Sequence, residues 1–160
     1  LHSVDLSMAN IDSIPKCTFE HCKNLRSVKL SNKVTILGQN CFADTGLISF
    51  IVPSTVVTVE YGALSNCASL KYLYIPSSVK NMNLLTDSNK SKIRSLVYWA
   101  SPDLIIYCGS SQPTYVAAGA TSGWFTKWNF DINKDKTAYT TAHTVYWNKT
   151  LAEFKSAAGL

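Results

Sequence analysis

No apolar run in this chain approaches the ~18–20 residues that a membrane-crossing helix needs, so no membrane insertion is expected. Charge is scarce too. Asp, Glu, Lys and Arg make up 16% of the 160 residues, against 46% hydrophobic, and the net charge is +5. That excess favours approach to an anionic surface such as sialylated or sulfated glycan. No Lys/Arg block of the kind that tracks a phosphate backbone occurs, which argues against a nucleic-acid partner. Catalytic signatures are absent: there is no Gly-x-Ser-x-Gly, no His-Glu-x-x-His and no phosphate-cradling glycine loop. His2, His21 and His143 have no acid or nucleophile at motif spacing. No catalytic residue, metal site or cofactor is expected. The stretch Asp131-Ile-Asn133-Lys-Asp135 opens like a calcium loop. It has Lys136 where that loop needs Gly and Ala142 where it needs a bidentate acid, so it reads as a polar turn. The five cysteines, Cys17, Cys22, Cys41, Cys67 and Cys108, are an odd number and fit no zinc spacing. There is no starting Met and no signal peptide, and the chain opens at Leu1 in mid-pattern, which suggests a piece of a longer protein.

What is present is repetition. Leu70, Leu73, Ile75, Pro76, Ser78, Val79 and Met82 restate Leu47, Phe50, Val52, Pro53, Thr55, Val56 and Val59 at a constant offset of 23 residues. Units start at Leu1, Leu25, Leu47, Leu70 and Ile93. Each opens on alternating apolar residues, a period of two that predicts a short strand with one face inward: Val4/Leu6, Val28/Leu30, Phe50/Val52, Leu73/Ile75 and Leu96/Tyr98. Second apolar pairs follow at Ile11/Ile14, Val34/Leu37, Val56/Val59 and Val79/Met82. A third element closes three units, with Phe19 and Cys22, Phe42 and Thr45, and Leu64 and Cys67. One unit cannot bury enough apolar surface alone, so the units must stack into a continuous core.

The runs Ile75-Pro-Ser-Ser-Val79, Val34-Thr-Ile-Leu-Gly-Gln-Asn-Cys-Phe42 and Leu64-Ser-Asn-Cys-Ala-Ser-Leu70 carry a family pattern. Over residues 1–98 the chain resembles the BspA-like (treponemal-type) leucine-rich repeat. Departures occur: Pro15 and Glu60 stand where Gly is usual, Thr45 replaces the repeat Cys, and residues 83–92 lose the Ala-Phe-x-x-Cys element. The resemblance implies a right-handed leucine-rich-repeat solenoid of short parallel β-strands, mostly β with turns, over residues 1–98. It makes Cys22, Cys41 and Cys67 buried, unpaired repeat positions. It further implies an extracellular or cell-surface location in a mucosal microbe, and adhesion to a host matrix or cell-surface protein with no cofactor.

Residues 99–160 read as a small α+β cap. Pro102–Tyr107 is expected to form a last strand, Trp124, Phe125 and Trp128 to cover the last core layer, and Thr137–Trp147 to have strand character. Thr150-Leu-Ala-Glu153 is a capping box that starts a helix near Leu151 and ends before Gly159. Asn89-Lys-Ser91 and Asn148-Lys-Thr150 are glycosylation sequons, informative only in a secreted eukaryotic protein. On the concave face the register predicts one column of Asp5, Lys29, Ile51, Tyr74 and Val97, and a neighbouring column of Ser3, Ser27, Ser49, Tyr72 and Ser95. Arg26, Lys29, Ile51, Lys71, Tyr72 and Tyr74 are the candidate ligand-binding residues, because Tyr and Arg offer large contact area with a polar handle. Two other classes stay open: an intracellular or surface scaffold that binds protein peptides, which the cysteines suit if the compartment is reducing, and a carbohydrate-binding or enzyme-accessory module using Trp99, Trp124, Trp128 and Trp147.

Overall fold

The structure, a computed structural model, describes residues 1–84, 95–116, 122–135 and 138–160. The chain winds in stacked coils that each contribute a first strand, a second strand and a double turn. The first four coils hold β1 (Ser3–Asp5) and β2 (Ser13–Ile14), β3 (Ser27–Lys29) and β4 (Ile36–Leu37), β5 (Ser49–Ile51) and β6 (Thr58–Glu60), and β7 (Tyr72–Ile75) and β8 (Asn81–Leu84). Then come β9 (Ile105–Cys108), β10 (Tyr115–Val116), β11 (Trp124–Phe125), β12 (Phe130–Ile132), β13 (Tyr139–Ala142), β14 (Thr144–Tyr146) and the helix α1 (Leu151–Ala158).

First strands pair in parallel as β1-β3 and as β5-β7-β9-β14; second strands form one parallel sheet in the order β2-β4-β6-β8-β11-β10. Alternation decides which residues go in. Phe50, Leu73 and Ile106 from the first column meet Ile14, Leu37, Val59 and Met82 from the second, all with 3% exposure or less. Each such side chain stabilises the stack by about 1.5–3 kcal/mol through burial. This is the stacked leucine-rich solenoid that the repeats predict.

The third element is a double turn whose N–H groups donate to carbonyls of the following coil: Phe19 to Cys41, Phe42 to Ala63, and Leu64 to Leu96. It uses left-handed backbone twice per coil, at Cys17 and His21, at Asn40 and Asp44, and at Gly62 and Asn66. Asn, Asp and Gly tolerate that region best, which accounts for most of this column. In the fourth coil the bulky Trp99 takes the place with φ 56°. Its backbone N–H donates to the Asp131 carboxylate and its indole N–H to the Ile132 carbonyl at 2.9 Å, contacts that hold the unfavourable conformation.

Past β8 the register departs from the one expected. Ile93 lies outside the described residues, and Leu96 and Tyr98 form no strand. Residues 95–99 form the double turn of the fourth coil, with Gly62, Leu64 and Asn66 donating to the carbonyls of Ser95, Leu96 and Tyr98. Of the gap at residues 83–92, residues 85–92 lie outside the described residues; the third element of this coil is found at Leu96–Ala100. The true neighbour of β7 is β9, so Leu73 pairs with Ile106 and Ile106 with Val145. Val97 and Ser95 are buried and do not belong to the outer columns. Leu96 and Tyr98 have the right residue types at the right period. Backbone pairing across coils, which periodicity does not contain, overrides them.

Trp124, Trp128 and the half-buried Trp147 pack edge to face or tilted, with centroids 5.1–6.3 Å apart, and close the far end of the core. Strands β12 and β13 form an antiparallel hairpin before β14 returns to β9. The capping box forms as its spacing predicts: Thr150 accepts from the Glu153 N–H, Glu153 accepts from the Thr150 N–H, and Gly159 ends the helix with φ 70°.

Candidate binding surface

The outward residues of the first strands form the face singled out from the repeats, but not as one surface. The ladder is interrupted between β3 and β5. At that break Gly46 comes so close to the Lys23 carbonyl that a Cβ would lie 2.3 Å from it, and the exposed Arg26 donates from Nη1 to the Gly46 carbonyl at 2.9 Å. The Arg26 side chain thus spans the place where ladder bonding lapses. Lys29, on the two-stranded side, sits 3.8 Å from the Asp5 carboxylate with both side chains largely in water. An exposed pair of that kind is worth about 0–1 kcal/mol.

On the four-stranded side Ile51 pairs with Tyr74, and Tyr74 with Tyr107, while Ser49 pairs with Tyr72 and Tyr72 with Ile105. Lys71 is exposed; Ile51 and Tyr72 are half-buried. Tyr74 is only 8% exposed, because α1 lies across it. Its ring is 5.5 Å from that of Phe154, and its hydroxyl donates to the Lys149 carbonyl at 3.3 Å. Burial pushes the Tyr74 phenol above its usual range. Tyr107 flanks Phe154 at 5.7 Å and Tyr146 at 5.4 Å. The structure therefore brings together Ile51, Lys71, Tyr72 and Tyr74, and sets Arg26 and Lys29 apart beyond the break.

Where β5 and β7 run out into their Pro turns, a cleft of about 480 Å³ opens between Ile51–Ser54, Tyr74, Pro76–Ser77 and Gly109 on one side and Asn148–Leu151 on the other. Its floor is apolar and its rim carries hydroxyls and an amide. At the α1 wall Thr150 N–H and Lys149 Nζ both donate to the Glu153 carboxylate and hold its pKa down to about 2. Tyr107, Tyr146 and Phe154 were not among the expected face residues. Aligning Pro102–Tyr107 on the Tyr74 strand would have exposed Tyr107, whereas nothing local marks Phe154 as its cover.

A family model described as the BspA type leucine-rich repeat region matches residues 1–106 in six copies. The chain belongs to the BspA-type leucine-rich repeat family. No curated protein and no solved structure matches it. BspA-type membership is consistent with a protein-binding or adhesion module and typical of non-enzymatic interaction domains. The strand ladder of this BspA-type chain continues beyond the matched residues through β14.

The other candidates contribute little to a site. All five cysteines are unpaired; Cys41, Cys67 and Cys108 are buried, and burial pushes their thiols up, whereas Cys22, expected to be buried, is only half-buried in the terminal coil. Cys67 Sγ packs 3.3 Å from Thr45 Oγ1, in the column where the BspA-type repeat places Cys. Trp124 and Trp128 are buried and offer no platform to a sugar. Asp131 is engaged by Trp99 and, with Ile132, ends β12, while Asn133 Oδ1 accepts from the Ala138 N–H and the turn falls at Lys134 and Asp135; Lys136 lies outside the described residues. Among the described residues no group of three metal-ligating side chains occurs, and no helix is long and apolar enough to cross a membrane. The Asn89 sequon lies outside the described residues, and Asn148 is exposed at the cleft. His143 Nε2 approaches Asp131 Oδ2 to 3.9 Å, a pairing that sequence spacing did not suggest.

Proposed function

We propose that the chain is a non-enzymatic adhesion module at a cell surface or in secretion, and that it binds a protein of the host matrix or of a neighbouring cell. The observation that carries this reading is the placement of Ile51 on β5, Tyr72 on the adjacent β7 and the exposed Lys71 just ahead of it, beside the cleft at Tyr74. Half-exposed aliphatic and tyrosine groups on preorganised strands bind by complementarity at low entropic cost. Arg26 and Lys29, farther along the same face, add positive charge that speeds encounter with an acidic partner. A test needs substitutions outside the core: Lys71→Glu with Tyr72→Ala, compared with wild type for binding to cells and purified matrix proteins. Loss of at least about tenfold in affinity is expected, the scale of removing one good interface contact. Undiminished binding by the folded double variant rules out this face.

The five unpaired cysteines favour a second reading, a peptide-binding scaffold in a reducing compartment. Thiol titration of native protein from its source separates the two. Five free thiols support the scaffold, and oxidised or capped thiols at the half-buried Cys17 and Cys22 support the surface reading.

A further inference from the structure

The face proposed to bind a partner already carries an occupant. Of the eight residues of α1, Phe154 alone is buried, and it is completely so, between the rings of Tyr74 and Tyr107 on paired strands. Leu151 stays 38% exposed, and the rest of the helix faces outward apart from Ala158. The chain ahead of the helix is fastened separately, with the Asn148 and Lys149 N–H groups donating to the Ser110 and Cys108 carbonyls at 2.9 Å. The anchorage thus divides into a strand-like tether that ends at Lys149 and a helix held by its capping box and one aromatic plug. A helix of eight residues is well below the length that is stable alone, so its order depends on that plug. Segments with so few buried contacts open far more often than the fold as a whole.

We infer that α1 is an exchangeable occupant of the chain's own binding face, and that the partner fitting this face is a short helix offering an aromatic side chain to the Tyr74–Tyr107 slot in place of Phe154. This rests on the protein-binding reading and specifies the partner. The slot shows what it accepts, a helix crossing the strands with one ring pointing down between two tyrosines. The cleft beside it, floored by Ile51, Pro53 and Pro76, is left open by α1. A longer incoming helix buries that surface as well, which gives it an advantage over the tethered one.

The probe is a synthetic peptide with the sequence of residues 149–160, titrated into the full chain as wild type and as Phe154→Ala, with fold checked by circular dichroism. The Phe154→Ala chain is expected to bind the peptide at least about tenfold more tightly than wild type, because its own plug is gone. A peptide carrying Phe154→Ala is expected not to bind. A folded Phe154→Ala chain that ignores the peptide, or that binds both peptides alike, overturns the inference. Should that chain fail to fold, Thr150→Ala/Glu153→Gln loosens α1 from its exposed end. Amide exchange over 151–158 should then rise at least about tenfold while β7 and β9 hold. Exchange of α1 and β7 at one common rate in wild type means the helix opens only with the whole fold, and likewise overturns it. No outside partner enters these measurements. Their failure therefore removes the α1 slot without touching the Lys71/Tyr72 assay.

Discussion

The first three coils and those that follow use the same stacking interactions to different ends. In the first three, the rise from strand to strand is nearly constant: Val4 pairs with Val28, and Phe50 with Leu73 one coil on. Little chain is left over, and every coil presents much the same profile. From the fourth coil onward, Leu73 pairs with Ile106 and Ile106 with Val145, so much longer stretches separate successive strands. The extra chain leaves the stack as excursions, including the β12–β13 hairpin, and the end of the chain folds back as α1. A ladder tolerates such insertions because its pairing is local to each strand, and lengthening a surface loop costs little. Regular coils supply rigidity. Irregular ones supply the wall of the cleft and the Tyr74–Phe154–Tyr107 plug.

That division can be broken from the regular side first. Leu73→Ala removes a fully buried side chain where the third, fourth and fifth coils meet, and is expected to lower global stability by about 2–5 kcal/mol in chemical denaturation. A cost below about 1 kcal/mol would mean the coils are not one cooperative stack. Next is Gly62→Val. Gly62 has φ 64°, and a Cβ there would lie 2.3 Å from Asn40 Oδ1, so the double turn must shift. About 1–3 kcal/mol should be lost, whereas Gly62→Asn, which tolerates this φ, should lose less if crowding is relieved and backbone strain is the larger part. Equal losses would assign the effect to crowding alone.

On the irregular side Thr150→Ala should destabilise α1 by about 1 kcal/mol. The loss should be confined to amide exchange over 151–158, and equal loss at β5 would show that helix and coils are one unit. The smallest effect is expected from pH. Burial lowers the pKa of His143 below its ordinary 6.5, an effect that Asp131 partly offsets. Below that ordinary value the unfolded chain takes up a proton that the folded chain resists. This contribution to stability is therefore full above about 6.5 and is lost as pH falls. Thermal melts at pH 7.5 and 5.5 should differ more for wild type than for His143→Asn. Identical differences would place His143 outside the linkage.

The repeat made much of this protein legible in advance: the inward residues of the first four coils, the unpaired and buried Cys41 and Cys67, the aromatic end and the Thr150–Glu153 cap. All follow from local chemistry, because a period of two, a column of left-handed turns or a capping box is complete within a few residues. The strand positions of Ile51, Tyr72 and Tyr74 were legible for the same reason, lying between inward residues of regular strands. The strand expected at Pro102–Tyr107 forms as β9, but its place as the neighbour of β7 was not legible. Leu96 and Tyr98 match the pattern, and only the competition of Ile105–Cys108 for the edge of β7 decided between them. Nor could the sequence show that Tyr74 is covered, since the partner of its ring, Phe154, is 80 residues away along the chain. The sequence by itself determined which residues face inward, since burial and alternation act residue by residue. The tertiary structure alone decided which strands are neighbours and what lies over the outer face, because hydrogen bonding and ring packing between distant segments depend on what else can reach them.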